Sequence, residues 1–173
     1  MISLSVLFWI FVIMFALIGG MRGWAKELLV TSGVIVALFL VAIMENYIPL
    51  IRDGLTEQSS FWVQMSVLIV MAFFGYQGPN IPRIMESGKF VRDKFQDVLL
   101  GIFIGGINGY MIFGSAWYYL MEADYPFDWI SAPTDLSQNA MGIINILPPQ
   151  WMQPPVVYVA VAIAFVFILV VFI

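Results

Sequence analysis

Five long apolar runs set the terms for this chain. They cover residues 2–20, 28–44, 61–78, 98–121 and 155–173. The first and fourth contain no charged residue, and the third is interrupted only by Gln64 and Gln77. Each is long enough, at about 1.5 Å per residue, to cross a hydrocarbon layer about 30 Å thick. The runs are continuous rather than alternating, which favours helices over barrel strands. The expected fold is an all-α polytopic transmembrane bundle of about five spans. The second and third runs also suit buried core helices.

Composition agrees. Of 173 residues, 62% are hydrophobic and 10% charged, with a mean hydropathy of +0.95. A soluble domain is nearer half apolar and a quarter charged, so the surplus apolar surface is expected to face lipid or other protein. The net charge of −4 supplies no basic footprint for nucleic acid. The chain has no cysteine and no histidine. That removes disulfides, thiolate metal sites, the usual haem ligand and the commonest acid–base catalyst. No cofactor is expected. No Lys or Arg precedes the first run and no small-residue cleavage pattern follows it, so that run is expected to stay in the membrane.

Charge is distributed unevenly over the segments between runs. Residues 21–27 carry Arg22 and Lys26, and residues 79–97 carry Arg83, Lys89, Arg92 and Lys94. Residues 45–60 carry only Arg52, and residues 122–154 carry no basic residue. By the positive-inside rule the first and third loops face the cytoplasm, which puts the N-terminus outside and the C-terminus inside. Tyr47, Trp62, Trp117, Tyr118, Tyr119 and Trp151 would then lie near the outer interface. Trp24 and Tyr76 would lie near the inner one, a depth that suits amphipathic rings.

Two of the loops suggest structure of their own. Residues 122–154 are acidic and rich in Pro and Trp. Within them Thr134 or Asp135 is placed to cap a short surface helix reaching Leu147, with Leu136, Ala140, Ile143, Ile144 and Leu147 on one face. The Pro-Pro pairs at 148–149 and 154–155 would stop it and restart the chain at the fifth span. In residues 79–97 the basic side chains either meet anionic headgroups from a helix on the inner leaflet or simply set topology.

Glycine supplies the clearest local motifs. Gly19, Gly20 and Gly23 close the first run, and Gly101, Gly105 and Gly109 recur every four residues in the fourth. Spacing of four puts the latter three on one helix face, where another helix can approach closely. Gly19, Gly23, Gly101, Gly105 and Gly109 are therefore packing candidates, in a seam within the chain or between copies. Gly-Gly-Met-Arg-Gly at 19–23 also echoes Gly-Gly-Ile-Asn-Gly at 105–109, a hint of an internal repeat of hairpins. Arg22 and Asp97 fall at the same expected depth, so an interfacial ion pair between them is predicted, with Glu27 and Arg92 as a second pair. Gln64 and Asn108 are read as interhelical hydrogen-bonding groups.

The segment Gly20-Met21-Arg22-Gly23-Trp24-Ala25-Lys26-Glu27 follows an apolar span. It resembles the Gly-x-x-Arg-Gly-aromatic-x-x-Glu signature of the colicin V production protein (CvpA) family. That family has a later span opening on Asp-Arg-x-x-Gly, which Asp97-Val98-Leu99-Leu100-Gly101 matches in part, with Asn108-Gly109 beyond it. Val98 and Asn108 stand where the family often has arginine. The resemblance covers residues 1–121 and implies a four-span core. The acidic loop 122–154 and a fifth span at 155–173 lie outside it. It implies an integral protein of the bacterial inner membrane, linked to toxin production or export and to envelope homeostasis. No catalytic residues are expected, because without histidine only a lysine could serve a serine nucleophile as base, and none stands in a Ser-Lys arrangement. The expected partners are the lipid bilayer and other membrane proteins or further copies of the chain. A second class also fits, a non-catalytic accessory subunit of a large respiratory or photosynthetic complex. A small transporter or oligomeric channel fits less well, because the span interiors carry no ionisable side chain.

Overall fold

The structure is a computed structural model that describes residues 4–77, 94–127, 130 and 142–172. It is an all-α bundle, with no strand among the described residues. The elements are α1 (Leu4–Arg22), α2 (Trp24–Tyr47), α3 (Pro49–Arg52), α4 (Glu57–Tyr76), α5 (Lys94–Glu122), α6 (Pro148–Trp151) and α7 (Val156–Phe172). Helices α1, α2, α4 and α5 are long and apolar enough to cross a membrane. The fifth, α7, has 17 residues and spans about 26 Å, at the lower limit for a crossing.

The turns differ from their sequence expectation in instructive ways. The first loop, expected over 21–27, shrinks to a single residue. Gly23 adopts φ +85° between the end of α1 and the start of α2, a conformation that glycine reaches without a Cβ penalty. The second loop is largely helical: α2 continues to Tyr47, α3 adds a turn, and α4 begins at Glu57. Thr56 sets that start by accepting the Ser59 N–H on its side-chain oxygen at 3.3 Å, which satisfies one of the otherwise orphaned first-turn donors. Residues 142–144 are helical and that stretch ends before Pro148; Pro148 and Pro149 then open α6, where proline's missing N–H is harmless. The surface helix expected from 134 falls mostly outside the described residues, as do residues 79–93 of the basic loop. The two glycine motifs read as a repeat sit differently, one at a helix end and the other in the middle of α5.

Helix α2 is the centre of the bundle, packed against α4, α5 and α7. Its Val30, Val34, Ala37, Leu38 and Val41 are buried with Leu68 and Ala72 of α4, Met111 and Tyr119 of α5 and Val157 of α7. Trp9, Ile13 and Leu17 of α1, Ile69 and Phe73 of α4, and Val159, Ile163 and Val166 of α7 face outward. Lipid is as apolar as these side chains, so apolar burial alone cannot hold such a bundle together. Close backbone packing and interhelical hydrogen bonds must do so.

Glycine provides the close packing. A Cβ at Gly19 would sit 2.8 Å from the Gly105 Cα, and one at Gly105 would meet the Phe15 carbonyl and lie 2.9 Å from the Gly19 Cα. At Gly109 it would lie 2.9 Å from the Val12 Cα, and at Gly101 it would strike the Gly19 carbonyl. The seam expected from the four-residue spacing therefore joins α1 to α5 within the chain. A second seam joins α2 to α4. There a Cβ on Gly33 would lie 2.8 Å from the Met71 carbonyl, and one on Gly75 would lie 2.8 Å from the Val30 Cα.

Candidate functional site

Polar side chains gather at the two ends of the bundle. At one end the reversal at Gly23 brings Arg22 and Glu27 together across the α1–α2 turn. Arg22 Nη1 donates to Glu27 Oε1 at 3.1 Å, and Nη2 donates to the Tyr76 carbonyl at 3.2 Å. The guanidinium also lies 4.3 Å from the centre of the Tyr76 ring, within cation–π range. Glu27 is fully buried. Its second oxygen accepts from Asn108 Nδ2 at 2.8 Å, and Asn108 Oδ1 accepts from the Thr31 hydroxyl at 2.7 Å. One network thus joins α1, α2, α4 and α5.

Asp97 has a different task from the one its sequence position suggested. The predicted Arg22–Asp97 pair is not formed. Asp97 Oδ1 instead accepts the Trp24 N–H at 3.2 Å, at the N-terminus of α2, where Gly23 offers no side chain to cap the helix. A carboxylate there satisfies an orphaned donor and meets the positive end of the helix dipole. Gly23 is consequently a turn glycine more than a packing glycine. A Cβ on it would lie 2.8 Å from Asp97 Oδ2. Equal depth brought Arg22 and Asp97 to the same end, but the one-residue turn aims the guanidinium at Glu27. Arg92, the alternative partner considered for Glu27, lies outside the described residues. Every charge in this network has a partner, which makes it an interlock between helices.

The other end holds a second polar cluster beside a cavity. Gln64, nearly buried on α4, donates from Nε2 to Glu45 Oε1 of α2 at 2.6 Å and to Glu122 Oε2 of α5 at 3.4 Å. Gln64 and Asn108 therefore both make interhelical hydrogen bonds, one in each cluster. Beside the two carboxylates lies a cavity of about 260 Å³, lined among others by Glu45, Asn46, Tyr118, Tyr119, Glu122 and Met152. Tyr119 is 2% exposed. No basic side chain among the described residues pairs with Glu45 or Glu122.

One wall of this cavity comes from Pro149, Met152, Gln153 and Pro154, part of residues 142–154, which fold back along α5. The Tyr110 hydroxyl donates to the Ile146 carbonyl and accepts from Trp151 Nε1 at 2.9 Å. Gly114 lacks the side chain that would collide with Pro148, whose Cδ lies 2.6 Å from the place of a Cβ. Tyr110 lies about 18 Å along α5 from Glu122, so this part of the expected surface loop reaches well down the side of the bundle. Leu147, Pro148 and Met152 are buried there. Backbone of this irregular kind is tolerated at membrane depth where protein covers it.

No family model, curated protein or solved structure matches this chain. The site must therefore be read on its own chemistry. Among the described residues no group of three or more acidic residues is placed to hold a metal ion. No serine or lysine stands in a nucleophile–base arrangement in the contacts described above. What the two clusters offer is attachment at one end and an acidic, partly enclosed recess at the other. The recess escaped sequence reading because Glu45 and Glu122 fall at run ends taken for loops.

Proposed function

We propose that this chain is a non-catalytic integral membrane protein that acts by assembling with other membrane proteins. Its resemblance to the CvpA family suggests toxin production or export, or envelope homeostasis, in the bacterial inner membrane, with the N-terminus outside. The observation that carries this reading is the use made of the signature residues. Arg22, Gly23, Glu27, Asp97 and Gly101 are all engaged in locking α1, α2 and α5 together, and none is left free for chemistry. The outward faces of α1, α4 and α7 remain apolar, as suits lipid and neighbouring helices.

A second reading is an accessory subunit of a large respiratory or photosynthetic complex. Asn108 favours it: where the family often has arginine, this residue is buried and turned wholly to interhelical bonding. Purification in mild detergent with mass spectrometry of co-purifying proteins separates the readings. A toxin-export or envelope partner at fixed stoichiometry supports the first, and subunits of an energy-transducing complex support the second. A free homo-oligomer that conducts ions in planar bilayers would overturn both.

A further inference from the structure

We propose that the groove between α1 and α4 holds one acyl chain of an ester-linked phospholipid, with the ester carbonyl accepting a hydrogen bond from the Trp117 indole N–H. This goes beyond the assembly reading and does not depend on it.

The groove follows from how the helices pack. Both α1 and α4 lie against α5, but neither lies extensively against the other. Between them is a cavity of about 200 Å³, walled by Leu7 and Phe11 of α1, Phe61 and Met65 of α4, and Phe113 and Trp117 of α5. Asp124 and Tyr125, at φ +51° and +52°, turn the chain back after α5. Phe127 then closes over Phe61 and Trp62, with ring centroids 5.9 and 6.0 Å apart. Leu7, Phe11, Met65 and Phe113 are only half-buried, so the groove is continuous with the outward apolar faces of α1 and α4.

Trp117 says what the occupant must offer. It is 4% exposed, and among the described residues its Nε1 is a buried donor with no hydrogen-bond partner. Buried indoles usually find one. An indole N–H only donates, so its missing partner is an acceptor. Water suits the place poorly. An ordered buried water takes about two to four polar partners, and every other side chain lining the groove is apolar. The acceptor must therefore arrive attached to an apolar chain.

Depth and size select the carrier. Trp117 precedes Glu122, the last residue of α5, by about 7.5 Å along the helix axis. In a crossing helix that is close to the boundary between hydrocarbon and headgroups, where indoles are favoured and where the ester carbonyls of a phospholipid lie. About 200 Å³ is below the range of drug-sized ligands and suits part of a single alkyl chain. An ester-linked phospholipid brings both pieces at the right depth, a chain to fill the groove and a carbonyl at its head.

The test places the full chain in nanodiscs of equal parts dioleoyl phosphatidylcholine and its dialkyl ether counterpart, which has the same headgroup and chains but no carbonyl. The protein is then released into mild detergent, and the retained lipid is identified by native mass spectrometry. Wild type should keep the ester lipid in roughly 2- to 10-fold preference, the range expected of one net hydrogen bond. Trp117→Phe removes the N–H but keeps an aromatic ring, and should still retain lipid with the preference gone. Ala116→Phe, which fills the groove, should retain neither lipid while its helical circular dichroism stays that of wild type. Equal retention of both lipids by wild type would overturn the proposal. So would an ester preference that survives either substitution, or a homodimer that retains no lipid because a second copy covers the groove.

Discussion

Asn108 of α5 donates its side-chain amide both to the Glu27 backbone carbonyl at 3.0 Å and to the Glu27 carboxylate at 2.8 Å. These two residues stand 81 positions apart, and both are completely buried. The contact pins the first turn of α2 against the middle of α5. It also gives the buried carboxylate a second donor beside Arg22, which is what makes burying it tolerable.

Asn108→Leu should therefore cost more than a lost packing contact. It leaves Glu27 Oε2 without its donor and the Thr31 hydroxyl without its α5 acceptor. We expect a loss of about 1–3 kcal/mol, measured by denaturation in mixed micelles. Stability equal to wild type would show that the contact is idle.

Arg22→Lys keeps the charge but loses the fork that serves Glu27 and the Tyr76 carbonyl together. It should lower stability by about 1 kcal/mol or more. A double-mutant cycle of Arg22→Lys with Glu27→Gln should show coupling above about 0.5 kcal/mol. The same cycle with Asp97→Asn should be additive, because Asn still accepts the Trp24 N–H and Arg22 does not touch Asp97. Strong coupling to Asp97 would restore the pairing that depth alone suggests.

Gly105→Leu should disrupt the α1–α5 seam, and Gly75→Leu the α2–α4 seam. Each forces a branched side chain against backbone, for which overpacking typically costs about 1–3 kcal/mol. Val166→Leu, on the outward face of α7, is the control and should be mild. Thermal stability in detergent that ranked all three alike would remove the glycine seams from the account.

Orientation is testable on a clean background, since the chain has no native cysteine. Ser59→Cys and Lys26→Cys both place a thiol at an exposed position, at opposite ends of the bundle. An impermeant thiol reagent added to intact cells should label the first and spare the second. The reverse pattern would invert the topology read from the basic residues.

The spans and the α1–α5 seam were legible because each rests on a one-dimensional pattern. Apolar runs of sufficient length mark the helices, and Gly101, Gly105 and Gly109 share a face by spacing alone. Gly33 and Gly75 gave no such signal. Gly33 is the lone glycine of its run and Gly75 shares its run only with Gly78 at the very end, so only the pairing of α2 with α4 makes them partners. Arg22 was placed at the right end with the wrong partner, because depth follows from span boundaries whereas side-chain direction follows from the turn. The course of residues 142–154 was hidden for a related reason. Polarity marks a segment as lying outside the spans, but Tyr110 and Gly114, which bring it back onto α5, read as ordinary members of an apolar run.

Gly23 also determines where this chain can change length. In a helix each residue adds about 100° of rotation and 1.5 Å of rise. One residue inserted beside Gly23, if absorbed into either helix, would turn α2 about its axis by more than a quarter circle. Glu27 would then face away from both Arg22 and Asn108, and Val30 and Val34 would leave the core. A residue gained between Asp53 and Leu55, in the turn before α4, disturbs no such register. Related sequences should therefore vary in length around Gly54 and keep the spacing from Gly19 to Glu27 constant.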